Sequence, residues 1–165
     1  MVIHYFKQKK KQESDKAYKV YERIIFFCNQ FVKSNDLIIS KNFNSKFEIF
    51  SLFLIFFLKC NIELNLKNYK NLNQNLINLF IKDLDNSLRE EGIGDMSIGK
   101  YVKKYVKKFY YRLDNVDKHF NEFNIDNFSI YIQNLNFVKK DHSLEFSKKI
   151  YEKFTDIQLE IKTNI

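Results

Sequence analysis

An all-α fold in a single domain is what this sequence predicts, and three observations carry that reading. The chain has 165 residues, a length that favours one domain and lets it bury roughly 70% of its extended surface. It contains no Pro and only 3 Gly, whereas β-sandwiches and α/β folds need such residues at their many turns. Its apolar residues recur every three or four positions over long stretches, the period of amphipathic helices. With 45% hydrophobic and 29% charged residues, disorder and collagen-like classes are excluded. Two cysteines are too few for a disulfide scaffold.

About six helices follow in order. Residues 1–13 read as a basic flexible arm, 14–155 as the helical domain and 156–165 as a C-terminal tail. Ser14 or Asp15 can cap a first helix over 15–34, with Ala17, Val20, Ile24, Phe27 and Phe31 on one face. A connector over 35–44 leads to a second helix at 45–62. That helix is apolar almost all round, which predicts a central position. The third, 69–91, carries the stripe Leu72, Leu76, Leu79, Phe80, Leu84 and Leu88. All three glycines of the chain, Gly92, Gly94 and Gly99, cluster just after it. Gly92 suits the left-handed residue that closes a helix, and Asp95 or Ser97 can cap the next one. A fourth helix over 98–120 places Ile98, Val102, Tyr105, Phe109, Leu113 and Val116 on one face. Shorter helices are expected at 126–137 and 143–154.

Charge and hydropathy restrict the setting. The formal net charge of +8 is compatible with RNA, ribosomes or anionic membrane surfaces. Lys, Asn, Ile, Phe and Tyr are all encoded by A- and T-rich codons, so nucleotide bias accounts for part of that excess. The most apolar run, Ile49 to Leu58, is about half of the ~20 residues needed to span a bilayer. Lys46, Glu48 and Lys59 flank it, as in a buried core helix. The N-terminal residues have neither the apolar stretch of a signal peptide nor the arginines of a mitochondrial presequence. An intracellular protein with reduced Cys28 and Cys60 is therefore expected.

Catalytic and cofactor motifs fail on inspection. The stretch from Gly94 to Tyr101 resembles a phosphate-binding loop, but Tyr101 replaces the magnesium-holding hydroxyl and a helix precedes it where a strand should. A dinucleotide fingerprint fails because Ser97 occupies the place of the third glycine. His4, His119 and His142 are scattered and neither cysteine has a metal-spaced partner, so no metal or other cofactor is expected. Lys100, Lys103, Lys104, Lys107, Lys108 and Arg112 cover one half of the fourth helix. They form either a phosphate-gripping face or, as the favoured reading, the solvated side of an amphipathic helix. Tyr101 and Tyr111 are the aromatic residues that could stand among them. Asp85 and Arg89 are spaced for an ordinary ion pair within one helix. Asp83 and Glu90 sit on the shoulder of the apolar stripe, where carboxylates need a cation, and Lys100 or Arg112 are the candidates across the glycine corner.

One stretch carries a family resemblance. Asp83-Leu84-Asp85-Asn86-Ser87-Leu88-Arg89-Glu90-Glu91-Gly92-Ile93-Gly94-Asp95-Met96-Ser97-Ile98-Gly99-Lys100, followed by Phe109-Tyr110-Tyr111-Arg112-Leu113, resembles the ubiquinol–cytochrome c chaperone family. Upstream, Lys46-Phe47-Glu48-Ile49 is similar to the start of that family's apolar helix. Phe53 stands where the family often has a histidine, and Tyr111 where it has a glycine. The resemblance covers about residues 15–140 and is most specific over 83–113.

The resemblance implies a helical, non-enzymatic assembly factor of respiratory complex III whose client is newly synthesised cytochrome b. A small partner protein and the ribosome are implied as further partners, with no specific nucleic acid. The absent presequence points to a bacterial member, cytoplasmic or peripheral at the inner face of the inner membrane. Asp85, Arg89, Glu90, Asp95, Lys100 and Arg112 are then expected to contact client or partner. Asp83, Leu88, Gly92, Gly94 and Tyr110 are expected to form the architecture of the motif. A basic ribosome- or RNA-binding helical module without client specificity is the alternative, distinguished by a steep loss of binding with salt.

Overall fold

The structure, a computed structural model, describes residues 2–65, 68–121 and 124–163. Six α-helices succeed one another: α1 Val2–Ser34, α2 Phe43–Glu63, α3 Tyr69–Glu90, α4 Asp95–Asn121, α5 Ile125–Asn134 and α6 Ser143–Thr163. A single 3₁₀ turn, Lys140–His142, precedes α6. Among the described residues there is no strand, only one isolated antiparallel bridge between Ile38 and Val138. The all-α expectation holds.

Several boundaries differ from those expected. Helix α1 starts at Val2, so the basic segment 2–13 continues the helix backwards where a separate arm was expected. Lys and Gln there are good helix formers, and with no Gly or Pro before Ser14 nothing stops the helix. Helix α6 likewise runs on to Thr163, through most of the expected tail. Helix α2 begins two residues early because Asn42, in extended conformation, accepts the Ser45 amide on its side chain.

Apolar burial on both sides makes α2 the centre. Its run from Ile49 to Leu58 is buried except at Phe50 and Phe56, which are half-buried. Helices α1, α3, α4 and α6 all pack against it. Helix α1 also lies along α3, α3 against α4, and α5 against α6. Aromatic rings knit these layers together. Phe53 meets Phe31 of α1 and Phe154 of α6 edge-on at 5.7 and 5.4 Å. Phe80 of α3 lies 4.8 Å from Phe109 of α4. Polar ties add register: the Asn73 side chain on α3 accepts from Asn61 and donates to the Leu58 carbonyl on α2.

Asparagine does the work of the missing glycines. Asn65 after α2 and Asn136 after α5 take positive φ of 47° and 58°, and the amide of each closes the preceding turn onto Ile62 or Gln133. Asn68 before α3 is also left-handed, at φ 64°. Asn visits this region at lower cost than other side-chain-bearing residues.

Candidate functional site

The corner between α3 and α4 is built by a complete Schellman motif. The Gly92 amide donates to the Arg89 carbonyl at 2.9 Å and the Ile93 amide to the Leu88 carbonyl at 3.1 Å. Gly92 holds φ at +89°, a conformation that disfavours any side chain. Leu88 is buried and Ile93 packs half-buried against the same core, which supplies the apolar contact such a motif needs.

Gly94 differs from Gly92: its φ lies outside the left-handed range and a Cβ there would meet open space. Its carbonyl accepts the Ile98 amide, so Gly94 itself occupies the N-cap position and α4 starts at Asp95, three residues before Ile98. Neither Asp95 nor Ser97 caps; the Ser97 hydroxyl donates back to the Gly94 carbonyl.

Arg89 ties the corner electrostatically. Its Nε donates to Asp85 at 2.6 Å along α3, and its Nη1 donates to Asp95 across the turn. These two hydrogen bonds hold the guanidinium above its usual range, although all three side chains face solvent. Asp95 also lies at the positive end of the α4 dipole. Three of the expected contact residues therefore meet in one exposed cluster.

Arg112 does not join them. No described ion pair links it to Asp83 or Glu90; instead it forks onto Glu48 of α2, Nε to Oε2 at 2.9 Å and Nη2 to Oε1 at 3.0 Å. Lys108 adds a second cation 2.6 Å from Oε1. Glu48 is only 3% exposed, so this paired carboxylate is a buried polar knot between α2 and α4. Burial works against the Arg112 charge, and the Glu48 carboxylate more than offsets it, raising the guanidinium above its ordinary value. Tyr105 extends the seam by donating to Asn44 at 2.7 Å. From the sequence Glu48 reads as a flank of the apolar run and as part of the family-like stretch Lys46 to Ile49, with no partner assigned to it. An acid immediately before the apolar run Ile49 to Leu58 was the signal available, because a buried acid needs a cation.

Asp83 finds a different partner from the cations expected: it accepts from the Tyr21 hydroxyl of α1 at 3.0 Å. Burial first, then the neighbouring Asp83 charge, push the Tyr21 phenol far above its usual pKa. Lys100 is exposed on the outer side of α4. Tyr110, expected in the architecture, is exposed and touches Phe109 edge-on at 5.8 Å, while Phe109 is the ring that is fully buried. His142 is half-buried 3.6 Å from Glu145; the His4 and His119 side chains lie outside those described.

Next to the corner, α1, α2 and α3 leave a groove of about 340 Å³. Ile25, Cys28 and Val32 of α1 and Phe43, Phe47 and Phe50 of α2 form its apolar wall, with Leu84 of α3. Asp83, Ser87, Glu90 and Glu91 line its α3 side, and Lys46 stands on the α2 side. Burial pushes the Cys28 thiol up to about 12, which keeps it protonated as an apolar lining group. The motif acids Asp83 and Glu90, read earlier as carboxylates in search of a cation, are thus rim groups of an open apolar groove. Among the described residues no group of His, Cys, Asp and Glu could hold a metal ion. No helix of the described residues is long and apolar enough to cross a membrane.

A family model described as ubiquinol–cytochrome c chaperone matches residues 35–142, from the connector before α2 to the 3₁₀ turn. The chain belongs to this family. The crystal structure of the Cbp3 homolog from Brucella abortus has the same fold: the TM-score is 0.72 at 23% identity, over 90% of this chain and 83% of that one. No curated protein sequence matches the chain significantly. The span that aligns with the ubiquinol–cytochrome c chaperones contains Glu48, the Gly92 corner, Arg112 and the α2 and α3 walls of the groove. The α1 wall falls outside it.

Proposed function

We propose that this protein is a complex III assembly chaperone that binds newly synthesised cytochrome b, with the groove beside the α3–α4 corner as the client contact. The observation that carries the reading is the composition of that groove. Its apolar wall suits side chains of an unassembled membrane helix, and Asp83, Glu90 and Glu91 suit the Lys and Arg residues that flank such helices on the cytoplasmic side. At about 340 Å³ the groove accommodates a few side chains and not a whole helix, so it grips one short segment of the client. Holding a client in this way needs no catalytic group and no cofactor. Membership of the ubiquinol–cytochrome c chaperone family points to the complex, and the inner face of the inner membrane is where such a client is met. Asp85, Arg89 and Asp95 form an exposed corner beside the groove, available to a small partner protein.

A photo-crosslinking residue at Ile25 in the native cell is the test. The expected product is a covalent adduct with cytochrome b, together with loss of assembled complex III, and not of other respiratory complexes, on deletion of the gene. Adducts confined to ribosomal components, or normal complex III after deletion, would reject the reading in favour of a ribosome-binding module.

A further inference from the structure

We infer that the outer face of α4 is a docking surface for an anionic lipid bilayer. Ile98, Phe109 and Val116 bury the inner face of this helix. Directly opposite, Lys100, Lys103, Lys104 and Lys107 are all exposed; each lies three or four residues from two of the others, so they share one face of the helix in a single stripe. Lys108, one position on, is excluded from the stripe by its bond to Glu48. The acids of α4 nearest the stripe lie at its ends: Asp95 is occupied by Arg89, and Asp114 stands two turns beyond Lys107. A run of four lysines on one amphipathic helix is the electrostatic pattern that anionic headgroups attract.

Apolar and amphipathic groups bracket that charge. Met96, fully exposed, begins the stripe, and Tyr111, 61% exposed, ends it. A methionine in water next to lysines has no folding role, whereas at a bilayer it can enter the acyl boundary while the lysines stay at the phosphates. Tyr111 has the amphipathic ring that favours the headgroup level. Single-stranded RNA would also be attracted by the lysines, but it reads flat aromatic surfaces. Of the exposed rings on α4, Tyr111 already carries the Arg112 guanidinium at 5.9 Å, Tyr110 packs edge-on against Phe109 and Tyr101 stands to one side of the stripe, while Met96 offers nothing to stack on. The stripe with an apolar tip therefore favours lipid. This surface is separate from the groove and does not depend on the identity of the client.

Vesicle sedimentation decides the matter, using large unilamellar vesicles of phosphatidylcholine with about 30% phosphatidylglycerol against pure phosphatidylcholine. The wild-type protein is expected to partition onto the anionic vesicles and to be released by high salt. The quadruple variant K100Q/K103Q/K104Q/K107Q is expected to keep its helical circular dichroism and to lose about tenfold or more of that partitioning. Because the chain contains no Trp, Met96→Trp supplies a single fluorescent reporter, whose emission should shift to the blue on the anionic vesicles and stay unchanged with polyuridylate. Equal binding by a folded quadruple variant overturns the inference, as does equal binding to pure phosphatidylcholine. An unshifted Met96→Trp emission on bound vesicles, or tighter lysine-dependent binding to polyuridylate than to vesicles, overturns it as well. None of these readouts involves cytochrome b, so failure here leaves the client reading intact and the reverse is also true.

Discussion

Glycine 92 and glycine 94 look alike in the sequence and differ in what the backbone asks of them. At φ +89° a β-branched side chain at residue 92 is strained, so Gly92→Val should lower the unfolding free energy by about 1–3 kcal/mol in a denaturant titration. Gly94 has ordinary backbone angles and open space around it, and Gly94→Ala should stay within about 0.5 kcal/mol of wild type apart from a small capping loss. Spacing shows where a chain turns; it does not show which of two nearby glycines takes the left-handed angle. The same holds for Asn65 and Asn136, whose positive φ follows from the hydrogen bonds closing α2 and α5.

At the scale of elements, charged pairs separate into those that hold helices together and those that decorate a corner. Glu48 holds α2 to α4. Replacing it with Ala leaves the partly buried Arg112 and Lys108 without their anion and should cost about 3–5 kcal/mol, far more than any exposed lysine. The double variant E48M/R112M, which removes both charges, should recover part of that loss, and a double-mutant cycle of denaturation free energies measures the recovery. Arg89 links α3 to α4 through exposed hydrogen bonds, where solvent screening leaves little net effect. Arg89→Ala is therefore expected to keep its melting temperature while losing partner or client capture. A large drop in Tm would instead make the Arg89 bridge part of the architecture.

Across the whole molecule, buried thiols and phenols set the response to alkali. Cys28 and Cys60 are held up at about 12 by burial, and Tyr21 is raised higher still. In the unfolded chain these groups lose their protons near pH 9 to 10, while in the folded protein they keep them. The unfolded state thus binds fewer protons above about pH 9, and stability must fall as pH rises from there. Below that range these groups contribute no slope. Melting temperatures measured from pH 7 to 11 should be flat at first and then decline, and the Cys28→Ala/Cys60→Ala variant should decline less steeply. The native thiols should also resist maleimide labelling until the protein is unfolded.

The order of helices, the centrality of α2 and the turn at Gly92 were determined by the sequence itself. Helical period, capping residues and the placement of Gly are local properties, read within a few residues of where they act. The extension of α1 back to Val2 escaped because the polar run at 7–13 breaks its apolar pattern, whereas that of α6 was legible: Ile157 continues the Phe146, Ile150, Phe154 stripe and is buried. The family motif was also legible, yet the partners of its charged members were not. Arg112 reaches Glu48 and not the corner, Asp83 meets Tyr21, and Glu90 rims a groove whose other wall comes from α1. The two hydrogen bonds join residues 64 and 62 positions apart. Their choice depends on the rotation and register of each helix in the packed bundle, which the burial of all the apolar faces settles together. No spacing along one helix encodes that result, and only the tertiary structure decided it.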